Sequence, residues 1–375
     1  MSQISHLSHG GRTGELARAA GIPEDALLDF SANINPIGPA PWLSAALEEG
    51  ARRVGVYPDP DSSEACEAAA RRYGVPADRF IFADGGDSLI FVLPRALGAV
   101  SCIMPSPTYS GYIRSASRAG IRPVRLQLDA ADGFSLSSEA FIRALDAAIA
   151  GALPPVLVFL GAPNNPVGGS LEPGRLLQLA GRHPEAVFAL DESFAELAGD
   201  DTGMIGSAAP NLVVLRSLTK TWSVPGARVG FACAERSIVT KLRSELPAWP
   251  LSCFAQAIAS RALADREFAA SSAAFVAQTE AVFVNELAAL GYMKIHRSGA
   301  NFLLLESPTP GRGELVARRL LEAGIAVRVF SPEEGLDGRF IRVAVRKPEE
   351  NARLVKVLKD IPRQVRGGCD IGWAK

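Results

Sequence analysis

Residues Ser217–Gly230 read SLTKTWSVPGARVG and follow the apolar run NLVVLR at 211–216. A short continuous apolar run closed by small polar residues is the pattern of a strand buried on both faces of a parallel sheet. Lys220 and Arg228 therefore lie just past a strand end, with the turn-forming VPG of residues 224–226 between them. Such a pair is either two solvated surface charges or a reactive amine beside an anion-gripping guanidinium. The rest of the chain decides between these readings.

The same texture recurs along the sequence. RFIFADGG (79–86), AVSCIMPSPTY (99–109), PPVLVFLGAPNNP (154–166) and EAVFALDESF (185–194) are apolar runs that end abruptly in small or polar residues. Between them lie helical stretches such as SSEACEAAARRYG (62–74) and LEPGRLLQLAGRH (171–183). Strands alternating with helices predict an α/β fold built on a mostly parallel sheet. In such sheets ligands gather beyond the carboxyl ends of the strands, and there the sequence puts its polar residues. From about Asp265 a long alanine-rich helix and the shorter runs NFLLLES, AVRVF and RFIRVAV predict a second, smaller α/β unit. The expected division is an N-terminal segment over 1–39, a large domain over 40–265 and a small C-terminal domain over 266–375.

Composition narrows the function. The chain has 375 residues, 48% hydrophobic and 21% charged, with a formal net charge of −1. Nothing in that balance suggests a nucleic-acid partner, which usually demands a basic excess. The opening MSQISHLSHGGRTGEL lacks the apolar core of a signal peptide, and the longest apolar runs are interrupted before membrane-spanning length, so a cytoplasmic address is expected. Five scattered cysteines without CxxC spacing argue against a disulfide framework and a zinc site, and four dispersed histidines propose no metal centre. The sequence contains no phosphate-binding G-x-x-x-x-G-K-[ST] loop and no G-x-S-x-G elbow.

Read alone, each strand end is ambiguous: ALDES could be a helix cap, PNNPVG a turn, GGDS a helix start. Their order carries the information. A Gly-rich turn, then PTY, NNPVG, DES and SLTK…R resembles the fold-type I enzymes that use pyridoxal 5'-phosphate (PLP), over roughly residues 29–354. The resemblance implies a seven-stranded, mostly parallel sheet in the large domain. It makes Lys220 the amine that bonds the PLP aldehyde and Asp191 the carboxylate that pairs with the pyridinium nitrogen, preserving the ring as an electron sink. Asn165 is similar to the residue that hydrogen-bonds the ring's 3-oxygen, and Tyr109 to the aromatic that stacks on the ring. Backbone N–H groups of Gly86 and Asp87, with Ser217 and Arg228, match the cofactor phosphate site. Tyr57, in VYPDP, resembles the tyrosine that reaches a neighbouring subunit's cofactor, which implies a homodimer with shared active sites. Arg342, in RFIRVAVR, resembles the clamp for a substrate α-carboxylate, and Gly38 a loop position facing the same group.

The substrate side is similar to a narrower group. HGG about twenty residues before DFSANINPIG is the opening pattern of the L-threonine-O-3-phosphate decarboxylases of cobalamin biosynthesis. Histidinol-phosphate aminotransferases share the N-x-N-P core, usually without HGG, and carry Gly-Thr where this chain has Arg346 and Lys347. Phe194 in DESF replaces the tyrosine of most aminotransferases, and Ser252 stands where many relatives have asparagine. A phosphate monoester wants several donors and cations, so His9, Ser31, Asn33, Arg346 and Lys347 are candidates to hold it. The expected reaction is decarboxylation of a small phosphorylated amino acid. The alternatives are a histidinol-phosphate or aromatic aminotransferase, and a non-catalytic PLP-binding module.

Overall fold

The computed structural model describes residues 10–365. Thirteen strands appear among them. β1 (Leu28–Asp29) belongs to the N-terminal segment. β2 (Phe80–Ala83), β3 (Ser101–Ser106), β4 (Val124–Gln127), β5 (Val156–Gly161), β6 (Ala186–Asp191), β7 (Leu212–Ser217) and β8 (Gly230–Cys233) form one sheet in the order β2-β8-β7-β6-β5-β3-β4. β9 (Lys294–Arg297), β10 (Phe302–Glu306), β12 (Arg328–Val329) and β13 (Phe340–Ala344) form an antiparallel sheet, while β11 (Ile325–Ala326) pairs in parallel with β1.

The large sheet is the expected seven-stranded one. Every residue of β2, β5, β7 and β8 is buried, because helices cover both faces and leave no strand side for water. Two strands had no clear signal in the sequence. β4 (VRLQ) is a largely exposed edge strand, and β8 (GFAC) is too short to declare a period. β8 alone runs antiparallel to its neighbours β2 and β7. Its reversal matters for the site: the chain enters β8 at the edge where the other six strands end, so Arg228 lands beside Lys220 rather than across the sheet.

The alanine-rich stretch folds as a 23-residue helix, Arg266–Ala288, whose first turn is capped by Asp265 Oδ1 accepting from Phe268 N at 3.0 Å. Ser252 has a comparable structural task, accepting from Ala255 N at 3.2 Å to start the helix Cys253–Ala264. The N-terminal segment packs on the C-terminal unit: Leu16, Ala17 and Leu27 bury against Leu321 and Ala326, and Phe30 N donates to Ala326 O at 2.8 Å. Among the described residues no helix is long and apolar enough to cross a membrane.

Candidate active site

The carboxyl ends of β2, β3, β5, β6 and β7, the entrance of β8, the N-terminal segment and the small sheet surround one cleft of about 650 Å³. Lys220, Asp191, Asn165, Tyr109, Gly86, Asp87, Ser217 and Arg228 all line it, as do Ser31, Asn33, Arg342 and Arg346. Residues scattered from position 31 to position 346 thus converge on one cavity.

Lys220 sits in the short helix Leu218–Thr221 that closes β7. Its Nζ lies 4.8 Å from the centroid of the Phe194 ring. Burial holds its ammonium below the ordinary lysine pKa; Asp191 and Asp87 oppose this, while Arg228 and Arg342 add to it. The amine is thereby more readily deprotonated and nucleophilic than a surface lysine.

Asp191 ends β6 and is fixed by two donors: Ser193 N to Oδ1 at 3.0 Å and the Tyr112 hydroxyl to Oδ2 at 2.8 Å. Tyr112 is fully buried and stacked on Phe159, with ring centroids 4.9 Å apart. Burial, then the adjacent Asp191, push its phenol well above the ordinary value, so it remains a donor. The sequence reading missed Tyr112, although it stands in the same SPTYSGY stretch three residues after Tyr109, one helical turn away. Tyr109 meets Tyr112 edge to face at 5.5 Å and donates to Asp87 Oδ1 at 2.8 Å. Tyr112→Phe should fold normally and lower kcat by roughly tenfold or more, since a hydrogen bond to a charged group contributes about 1.5–3 kcal/mol. Steady-state kinetics with the cofactor's absorbance spectrum checks this; an unchanged kcat and spectrum would mean that Asp191 is held without the phenol.

The phosphate cradle rests on glycines. Gly85 has φ +79°, and a Cβ there would come within 2.6 Å of Arg228 Nη2; a Cβ on Gly230 would come within 2.6 Å of Gly86 N. Only glycine lets these chains approach so closely while leaving the N-terminus of helix Gly85–Ala96 facing the cleft. Ser217 and Thr219 share a hydroxyl contact of 2.8 Å beside it, and Arg228, itself at φ +51°, supplies the cation. Amide donors at a helix start, two hydroxyls and one guanidinium fit a phosphate monoester. Lys220 fits an aldehyde, and Asp191 fits a ring nitrogen that must stay protonated.

On the opposite wall Arg342 is buried, and burial, then neighbouring Arg328, push it down to about 9, still a cation at neutral pH. Its Nη1 donates to Asn165 Oδ1 and its Nη2 to the Ser31 carbonyl, each at 2.5 Å. Asn165 therefore turns its oxygen to Arg342 and keeps its amide nitrogen as the donor end. Ser31 is positioned by Asp29, which accepts from its N–H at 2.7 Å and its hydroxyl at 2.6 Å. Asn33 is 5% exposed with no hydrogen-bond partner for either amide atom, as expected of a side chain that serves a ligand.

Arg328 was not anticipated. It lies opposite Arg342 in the β12–β13 register, on the same face of the small sheet, and lines the cleft with its ion-pair partner Glu334. No sequence pattern announces this pairing, because the two arginines are fourteen positions apart and only the register of a two-residue strand joins them.

Other expected residues have different surroundings. Arg346 lines the cleft but is committed to Glu350 at 2.8 Å and the Asp29 carbonyl at 2.9 Å, which makes it a tie between the small unit and the N-terminal segment. Lys347 is exposed. Gly38, at φ +100°, is not among the residues that line the cleft. Tyr57 also stands outside this chain's cleft, 77% exposed and stacked on Trp249 at 4.2 Å. His9 lies outside the described residues.

Comparison with known proteins agrees with this geometry. The family model for aminotransferase class I and II matches residues 25–358, and the chain belongs to that family. It is 32% identical to the threonine-phosphate decarboxylase of Salmonella typhimurium, over 96% of this chain and 97% of that one. It is also 32% identical to the histidinol-phosphate aminotransferase of Roseiflexus castenholzii, over 92% of each chain. A bifunctional adenosylcobalamin biosynthesis protein of Leptospira interrogans is 29% identical over 94% of this chain, which spans only 41% of that protein's length. Among solved structures, the histidinol-phosphate aminotransferase of Sinorhizobium meliloti in complex with pyridoxal-5'-phosphate superposes with a TM-score of 0.83 at 23% identity, covering 97% of this chain and 99% of that one. The protein is a PLP enzyme of fold type I.

Proposed function

We propose that the protein decarboxylates L-threonine O-3-phosphate to (R)-1-amino-2-propanol O-2-phosphate, a step of cobalamin biosynthesis, as a homodimer. The observation that carries this reading is the pair of arginines, Arg328 and Arg342, side by side on β12 and β13 across the cleft from Lys220. Like charges placed directly opposite on a sheet repel, and Glu334 offsets only one of the two, so such a pair suits a ligand with two anionic groups. An α-carboxylate and a side-chain phosphate supply both; histidinol phosphate has no carboxylate, although the 2-oxoglutarate of the aminotransferase reaction also carries two anionic groups. In this reading Arg342 takes the carboxylate in a bidentate grip, and Arg328 takes the phosphate with Asn33 as a further donor.

PLP, when bound, supplies an electron sink for the pair left on Cα when CO₂ departs. The chain's own residues do the rest. Lys220 would hold the aldehyde end; Gly86, Asp87, Ser217 and Arg228 the phosphate; Asn165 the ring oxygen. Asp191, fixed by Tyr112 and Ser193, keeps a proton on the ring nitrogen. Arg342 would set the direction of the carboxylate, and Lys220 Nζ would return a proton to Cα. Phe194 puts an aromatic face, with no hydroxyl, against Lys220.

A second reading, a histidinol-phosphate aminotransferase, is favoured by the equal identity to the Roseiflexus castenholzii enzyme. The dimer in this proposal would cover the exposed Val54, Val56, Tyr57 and Trp249. The deciding experiment is product analysis after mixing holoenzyme with L-threonine O-3-phosphate and no keto acid. Release of CO₂ with aminopropanol phosphate is the expected result. No CO₂, with turnover of histidinol phosphate once 2-oxoglutarate is added, would replace the first reading by the second.

A further inference from the structure

Arg328 already holds an anion. Its Nη2 is ion-paired with Glu334 Oε1, the Glu334 side chain is 13% exposed, and both residues line the cleft. The other oxygen of that carboxylate, Oε2, accepts from the Ser331 N–H at 3.0 Å, so Glu334 also closes the short turn Pro332–Glu334 on which it sits. Arg342 differs: its partners are a carboxamide oxygen and a backbone carbonyl, both neutral, and its Nε has no hydrogen-bond partner. One guanidinium of the pair is thus charge-neutralised from within the protein and the other is not.

We propose that Glu334 is a place-holder on Arg328, and that the second anionic group of the substrate takes this guanidinium by displacing the Glu334 carboxylate. The proposal rests on the reading above, in which Arg328 receives the substrate phosphate. Its physical basis is a competition between two anions for one cation. Without Glu334, two adjacent uncompensated guanidiniums would be a strong trap for any free phosphate in solution. With it, an anion that reaches Arg328 alone must displace a tethered carboxylate. A substrate also anchored at Arg342 and Lys220 has binding energy to spare for the exchange. Glu334 therefore sets the specificity of the cleft for ligands that span both arginines. The exchange acts on a turn whose next residue, Gly335 at φ +89°, lies so near Ser106 and Pro107 that a Cβ there would come within 2.4 Å of Ser106 Oγ and 3.1 Å of Pro107 Cα.

The test uses two amine-free ligands, so that Lys220 chemistry is not engaged. 3-Phosphoglycerate carries a carboxylate and a phosphate, whereas glycerate carries the carboxylate alone. Calorimetric titration of the holoenzyme gives their dissociation constants for wild type, Glu334→Gln and Arg328→Gln. Glutamine at this position keeps the turn's cap and removes the charge. Expected for Glu334→Gln is 3-phosphoglycerate binding about tenfold tighter or more, with glycerate within about twofold of wild type. Unchanged or weaker 3-phosphoglycerate binding, or equal tightening of glycerate, would overturn the place-holder role. Arg328→Gln should lose about 100-fold for 3-phosphoglycerate and little for glycerate. If it instead binds 3-phosphoglycerate like wild type, the assignment of Arg328 to the second anion fails, and the place-holder with it. If it loses that affinity while Glu334→Gln gains none, only the place-holder fails.

Discussion

Lys220→Ala is expected to abolish turnover, by roughly 10²–10⁴-fold or more, the range a positioned proton-transfer group supplies on its own, and to remove the visible absorbance of the lysine-linked cofactor. Both effects have one structural cause. Lys220 is the one amine lining the described cleft, and burial keeps its ammonium below the ordinary range. Its backbone carbonyl accepts from Asn35 N at 3.1 Å, so the turn that carries it is pinned as well. Alanine leaves that backbone contact intact, so the variant should fold and still gather the cofactor phosphate at Gly86, Ser217 and Arg228. An absorbance spectrum and a turnover assay on the same preparation separate the two roles. Retention of the lysine-linked band in Lys220→Ala would remove Lys220 from the centre of the site.

Arg342→Ala should weaken substrate binding by about 2–5 kcal/mol, the usual cost of truncating a buried, hydrogen-bonded charge partner, while the cofactor stays bound. Arg342 is the cation of the pair without a carboxylate of its own within the site, and its two terminal nitrogens donate to Asn165 Oδ1 and the Ser31 carbonyl, each at 2.5 Å. Loss of the side chain therefore removes the carboxylate grip and frees Asn165 from its orientation. The defect should fall mainly on KM for a substrate bearing a carboxylate. Arg342→Lys should lie between wild type and alanine, because an ammonium keeps the charge and loses the planar fork. Kinetics of Arg342→Ala indistinguishable from wild type would take the residue out of the substrate site.

How much of this was legible in the sequence depends on where each residue draws its meaning. Lys220, Asp191, Asn165 and Tyr109 could be read because each ends a buried apolar strand or lies within four residues of its end, and strand ends of a parallel sheet share one edge. Arg228 could be read only as part of an ordered pattern; its position follows from the antiparallel course of β8, which a four-residue run does not disclose. Tyr112 was within reach by helical spacing. Arg328 and Glu334 were not, because their roles come from a cross-strand register and a one-turn cap in the small sheet. Gly38 stands outside the cleft lining: a glycine beside a motif marks a backbone conformation, here φ +100°, as readily as a contact.

The N-terminal segment carries a consequence of its own. Residues 28–30 are woven into the small unit, with Leu28 N on Gly324 O at 2.9 Å and Phe30 O accepting from Ala344 N at 2.9 Å. Asn35 is fastened to the Lys220 turn and to the long helix Arg266–Ala288, its amide donating to Thr221 O at 2.7 Å and Ser272 Oγ at 2.8 Å. Between these two moorings run only Ser31, Ala32, Asn33 and Ile34, and all four line the cleft. A fully extended span of that length reaches roughly 17 Å at most, which bounds how far the two moorings can part. Any rocking of the small unit against the Lys220 turn has to be taken up by this short tether. The wall that would feel the substrate is thus also the joint, and whatever tightens one stiffens the other.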